Sequence, residues 1–143
     1  MNIKGTIVFE KNWDALFSPF RFIENRGGSR SSKTFSLCQC VILDCLTDSG
    51  ADWSIVRKTF PALRATVLRD FITVLSEMNL YNTVAHNKTE HHITFPNGAR
   101  VEFFSVDNEQ KLRGRKRRKC WVNECNDLFG EDFVQLNMRT TEK

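Results

Sequence analysis

Gly27-Gly28-Ser29-Arg30-Ser31-Ser32-Lys33-Thr34 is the stretch whose reading decides the fold. It stands between the apolar, strand-like Arg21-Phe22-Ile23-Glu24-Asn25 and a helical run from Phe35 to Leu46. A strand, a loop of small residues and a helix opened by Lys-Thr together make a cradle for nucleotide phosphates. Successive backbone N–H groups converge on the anion and the helix N-terminus adds partial positive charge. The Lys33 ammonium reaches the β- and γ-phosphates, and the Thr34 hydroxyl can ligate Mg2+. The usual pattern is Gly, four residues, then Gly-Lys-Ser/Thr. Gly27 and the residues after it fit, but Ser32 takes the place of the second glycine. Serine is the next smallest polar choice, so the cradle tolerates the departure. The competing reading is a Ser/Gly-rich turn that happens to precede Lys-Thr.

Outward from the loop, Leu37, Cys38, Val41, Ile42 and Cys45 recur at helical spacing, and Thr47-Asp48-Ser49-Gly50 closes that helix. Upstream, Ile7-Val8-Phe9 and Trp13 to Phe20 read as an approach segment. Downstream, Trp53 to Lys58 reads as a second strand. Pro61 suits a first helical turn, and Leu63, Val67, Leu68, Phe71, Ile72, Leu75 and Met78 mark one long amphipathic helix. His92 to Phe95, the turn Pro96-Asn97-Gly98-Ala99, and Arg100 to Phe104 spell a hairpin, because Asn-Gly favours tight turns between strands. Cys120-Trp121-Val122 is a short strand ending at Asn123-Glu124, and Gly130 to Arg139 is a weaker last helix. This order predicts an α/β domain with a largely parallel central sheet. Ligands of such sheets sit outside the carboxyl ends of the strands, where both the loop and Glu124 fall.

A chain of 143 residues with 41% apolar residues and 12 Phe can bury one core. No apolar run reaches the roughly 18 residues of a membrane span, and Met1 to Gly5 lacks a secretory leader. The expectation is a soluble, intracellular chain. The 5 cysteines include no Cys-x-x-Cys pair and read as free thiols used as small apolar residues. His86, His91 and His92 form no metal-binding pattern. The net charge of +4 is local: Lys111 to Lys119 carries 7 basic residues, and the rest of the chain is left with 14 basic against 17 acidic.

A nucleotide hydrolase also needs a group to orient water and ligands for Mg2+. Val122-Asn123-Glu124 offers both, with Glu124 for the water and Asn123 where Asp usually meets the metal. An ordinary strand end with a solvated Glu is the alternative. Arg57 and Lys58 end a strand beside the same cleft. Arg113 is a candidate arginine finger. Arg115, Lys116, Arg117, Arg118 and Lys119 face DNA phosphate or solvent.

Taken together, these residues resemble the ATPase domain of the large terminase subunit of tailed bacteriophages, over roughly residues 20–130. Gly27–Thr34 is similar to that family's Walker A loop. Ile55-Val56-Arg57-Lys58-Thr59 with Leu63-Arg64 resembles the segment after its second strand. Leu112-Arg113-Gly114 resembles its Leu-Arg-Gly element, and Val122-Asn123-Glu124 with Asn126 resembles its Walker B strand. The resemblance implies a RecA/ASCE-like P-loop NTPase fold, with ATP and Mg2+ as cofactors. Glu124, Lys33 and Arg113 would be the catalytic groups. Gly27 to Thr34, Arg57 and Lys58 would hold nucleotide, and Thr34 and Asn123 the metal. Double-stranded DNA, further copies of the chain in a homo-oligomeric motor, the small terminase subunit and the portal would be partners. The setting would be the cytoplasm of a phage-infected or lysogenic bacterial host. The family's nuclease domain has no counterpart here, so residues 1–143 read as the N-terminal part of the ATPase domain, cut short. A helicase-like ATPase and a nucleotide- or DNA-binding fragment without turnover are the alternatives.

Overall fold

The computed structural model describes residues 7–18, 23–25, 33–114 and 116–140. Helix α1 (Ile7–Leu16) and helix α2 (Lys33–Thr47) precede strand β1 (Asp52–Arg57). A long helical stretch comes next, made of α3 (Phe60–Leu63), a π-helical turn (Arg64–Leu68) and α4 (Arg69–Glu77). Then come β2 (Ala85–Asn87), β3 (His92–Thr94), β4 (Arg100–Ser105), α5 (Glu109–Gly114), β5 (Lys119–Val122) and α6 (Gly130–Met138). The sheet order is β2-β3-β4-β1-β5. Its centre is parallel: Val56 of β1 faces Phe104 of β4 on one side and Val122 of β5 on the other. Strands β3 and β2 extend it antiparallel.

Strand β1 lies between two layers and is buried on both faces, as a central parallel strand is. Trp53 and Ile55 join Val101 and Phe103 in a core built with Cys38, Val41, Ile42 and Cys45 of α2 and Phe71, Val74 and Leu75 of α4. Val56 and Phe104 point the other way, onto Leu112 of α5 and Leu136 of α6. Successive side chains of a strand alternate between faces, so one short strand seeds both cores. Phe71 and Phe103 meet edge to face at 5.3 Å between ring centroids.

The hairpin turn is as expected. The Phe95 N–H donates to the Ala99 carbonyl at 2.8 Å, and Gly98 takes φ = +99°, which glycine tolerates without strain. Asn97 also donates from Nδ2 to the Cys45 carbonyl at 2.8 Å, satisfying an end group of α2.

Several expectations need correction. The approach segment contains helix α1, on which Phe9 and Trp13 stack at 6.2 Å between centroids, and Phe17, just past its end, meets Trp13 edge to face at 5.1 Å. Residues 23–25 do not lie in a strand; Arg21 and Phe22 lie outside the described residues. Periodicity predicts one helix after Pro61, but a π turn interrupts it. Helix α5 and strand β2 add to the expected elements. The basic run is not an exposed patch. Arg117 is 1% exposed; its Nε donates to Ser54 Oγ at 2.8 Å, and Ser54 Oγ donates to Glu102 Oε1 at 2.9 Å. Lys119 lies 2.9 Å from the buried Asp44 carboxylate, and Arg118 pairs with Asp48 at 3.1 Å. Arg115 lies outside the described residues, and Lys116 is exposed.

Candidate nucleotide site

Helix α2 is fixed at its carboxyl end to the amino ends of β1 and β5. Asp44 accepts from Trp53 Nε1 at 2.8 Å and from Lys119 Nζ at 2.9 Å. A helix of 15 residues is about 22 Å long. Lys33 and Thr34, which open α2 and are half-buried, therefore stand at the other end, towards the carboxyl ends of the strands. Gly27, Gly28, Ser29, Arg30, Ser31 and Ser32 lie outside the described residues.

At the carboxyl ends of β1 and β5 the remaining candidates draw together. The Asn123 N–H donates to the Val56 carbonyl at 2.8 Å, carrying the β1–β5 pairing one residue past the strand. Its Oδ1 accepts from Arg57 Nη1 at 3.2 Å. The same Nη1 donates to Thr66 Oγ1 at 2.8 Å. Glu124 then turns the chain off the sheet in the left-handed conformation, φ = +55° and ψ = +54°. That region is unfavourable for a non-glycine residue, and such strain gathers where a side chain must be aimed. The Glu124 side chain is exposed, and it makes no hydrogen bond or ion pair among the described residues.

Lys58 is exposed and holds its ammonium 4.8 Å from the centroid of the Phe129 ring. Arg113 is not brought to this corner. It sits on α5, exposed, with Nε 2.6 Å from Glu109 Oε2 on the same helix.

The donors here suit Mg2+. The Thr34 hydroxyl and the Asn123 amide oxygen are hard oxygens, whereas no group of three or more His, Cys, Asp or Glu side chains able to hold a metal occurs among the described residues. Mg2+ commonly takes only one or two protein ligands, completing its shell with phosphate oxygens and water. A donor set this sparse fits a metal that arrives with a triphosphate.

The thiols of α2 belong to the core. Cys38, Cys40 and Cys45 are buried, and burial is the main cause that pushes Cys40 up to about 12 and Cys38 and Cys45 well above the ordinary range. Cys125 is exposed, unlike the buried role expected of it. One feature had no sequence signal. An open cleft at the carboxyl end of β4 is lined by Phe60, His91, Ser105, Asp107 and Lys111 among others. These residues come from separate elements, and only the topology gathers them.

A parallel-centred α/β sheet with polar residues at its carboxyl edge belongs to the class of open sheets whose ligands sit outside the carboxyl ends of the strands. Residues 21–143 match the family described as phage terminase large subunit. The chain belongs to that family. It is 27% identical over 126 residues to the PBSX phage terminase large subunit of Bacillus subtilis (strain 168), an alignment covering 87% of this chain and 28% of that protein. The large terminase of a thermophilic bacteriophage has the same fold, with a TM-score of 0.68 and 16% identity over 80% of this chain and 30% of that one. The same thermophilic phage enzyme in complex with ADP superposes with a TM-score of 0.65 at 17% identity, over 79% of this chain and 29% of that one. The chain thus spans less than a third of the length of these relatives. Among the described residues, no helix is long and apolar enough to cross a membrane.

Proposed function

We propose that residues 1–143 form the N-terminal part of a P-loop ATPase domain, and that this domain binds and hydrolyses ATP to drive DNA packaging. The observation that carries the reading is the meeting of Arg57 and Asn123 at the carboxyl ends of β1 and β5, with Glu124 next in the chain. Family membership and the ADP complex of the thermophilic phage enzyme support a nucleotide as the ligand.

In this reading, the Gly27–Ser32 loop wraps the phosphates with backbone N–H groups, and Lys33 neutralises the β- and γ-phosphates. Thr34 and Asn123 would hold Mg2+, which when bound neutralises charge across the phosphates. Asn123 is neutral and so adds no charge attraction for the metal. Glu124 orients the attacking water and accepts its proton. Arg57 and Lys58 bind the phosphates from the β1 side. Arg113 acts as an arginine finger on a neighbouring copy of the chain. Double-stranded DNA, the small terminase subunit and the portal are the partners, in the cytoplasm of a bacterial host.

The test is calorimetry of the chain with ATP and Mg2+, run beside a hydrolysis assay. Lys33→Ala should lower affinity at least about tenfold in a folded protein, the scale of one lost charge-assisted contact. Undiminished affinity in that variant would remove the loop from the site. Binding without turnover in the wild type would assign this chain the cradle alone.

A further inference from the structure

Arg57 is gripped from two sides by a single nitrogen. Nη1 donates to Thr66 Oγ1 at 2.8 Å and to Asn123 Oδ1 at 3.2 Å. The Thr66 hydroxyl proton goes to the Ala62 carbonyl at 2.6 Å, so Thr66 meets Arg57 with a lone pair. Nη1 carries two protons, and both are thereby used. The Nε and Nη2 groups make no hydrogen bond to the described protein. They are the part of the guanidinium left to meet a ligand, and two adjacent N–H donors match the spacing of phosphate oxygens.

Thr66 is delivered to Arg57 by an unusual backbone. It lies in the π-helical turn Arg64–Leu68. A π turn holds an extra residue and recurs at functional sites. In a helix of 3.6 residues per turn, one added residue rotates the rest of the helix by roughly 100° of phase. Here the widened turn lets Thr66 reach the end of β1 while Val67 and Leu68 beside it stay buried.

We propose that Thr66 is a positioning residue for the nucleotide site. It pins the Arg57 guanidinium against Asn123 so that Nε and Nη2 are presented to the phosphates of a nucleoside triphosphate. The inference rests on the nucleotide reading above.

Calorimetric titration of the full chain with ATP and Mg2+ tests it. Thr66→Ser keeps the acceptor and should bind like the wild type. Thr66→Val keeps the shape without the acceptor and should bind roughly tenfold more weakly. In an Arg57→Gln background, Thr66→Val should cost nothing further, because the side chain it positions is gone. Wild-type affinity in Thr66→Val, or a full additional loss in the Arg57→Gln background, overturns the assignment. A wild-type chain that binds no ATP instead overturns the nucleotide reading beneath it. Nitrogen NMR of the ligand-free wild type needs no variant to fold: distinct Arg57 Nη1 and Nη2 signals are expected, and one averaged signal for a freely rotating guanidinium would sink the proposal.

Discussion

At Glu124 the backbone and the side chain are in conflict. The left-handed conformation costs a non-glycine residue on the order of 1–3 kcal/mol when held in place. Glycine would adopt it without penalty. Glu124→Gly should therefore leave the fold intact and raise its stability, by up to about 1 kcal/mol in denaturant melts. The same change should abolish ATP hydrolysis in whatever longer terminase chain turns over. Glu124→Gln separates the two effects. It keeps the strained backbone, so stability should stay put, and ATP affinity should be retained, but the charge that orients water is lost. Hydrolysis at the parental rate in Glu124→Gln would show that another residue activates the water. A destabilised Glu124→Gly would show that the carboxylate holds the turn.

Among the elements, the parallel centre was the most legible in sequence. Trp53-Ser54-Ile55-Val56 alternates onto two cores, and the Asn97-Gly98 turn needs the positive φ that it shows. Asn123 and Glu124 could be placed at a strand end because an apolar strand that stops at a polar pair stops at an edge. What could not be read was whatever tertiary packing decides. The π turn keeps an apolar pattern close to that of a plain helix, and the contact it accompanies, Thr66 with Arg57, reaches outside the helix. Likewise a run of cations looks solvated until the sheet buries one of them. Arg117 is held among Ser54 of β1, the Lys111 carbonyl of α5 and the Phe104 ring of β4. Removing it would leave the buried Glu102 carboxylate without its nearby cation, so Arg117→Ala should cost about 3 kcal/mol or more. Chemical denaturation reads this as a lower midpoint with an unchanged slope. A loss under about 1 kcal/mol would mean that the network is not sealed from water. The β2–β3 hairpin carries a pH signal of its own. Desolvation is the first cause that lowers the pKa of His86, His91 and His92. The unfolded chain then takes up protons at a higher pH than the fold. The stability this brings is complete above the ordinary value of about 6.5 and is lost as pH falls from there through the lowered values of the fold. His86 Nδ1 also shares a 2.8 Å hydrogen bond with Tyr81 Oη. His86→Gln keeps a polar partner for Tyr81, and its melting temperature should fall less than the wild type's between about pH 7.5 and 5.5; equal falls would remove His86 from the account.

Across the whole molecule, the proposed DNA contact depends on which cations the fold leaves exposed. Had all 7 cations of residues 111–119 faced DNA, the logarithm of affinity would fall with the logarithm of salt at a slope of about −6. The fold lowers that number. Arg117 is buried and Lys119 is held by the buried Asp44, while Arg118 and Arg113 stay partly exposed in surface ion pairs with Asp48 and Glu109, Lys111 donates to the Glu90 carbonyl at 2.9 Å, and Arg115 lies outside the described residues. Lys116 is exposed, and no such partner holds it among the described residues. DNA contact through this run should therefore be shallow. Lys116→Ala should flatten the salt slope by about 1 and weaken all DNA sequences alike, because phosphate contacts carry no sequence information. Arg117→Leu, a replacement that fills the buried site, should leave the slope as it was even where it changes stability. Fluorescence anisotropy with duplex DNA over a salt series measures both. An unchanged slope in Lys116→Ala would remove Lys116 from any DNA contact, and a flattened slope in Arg117→Leu would mean that the buried guanidinium comes out to meet DNA.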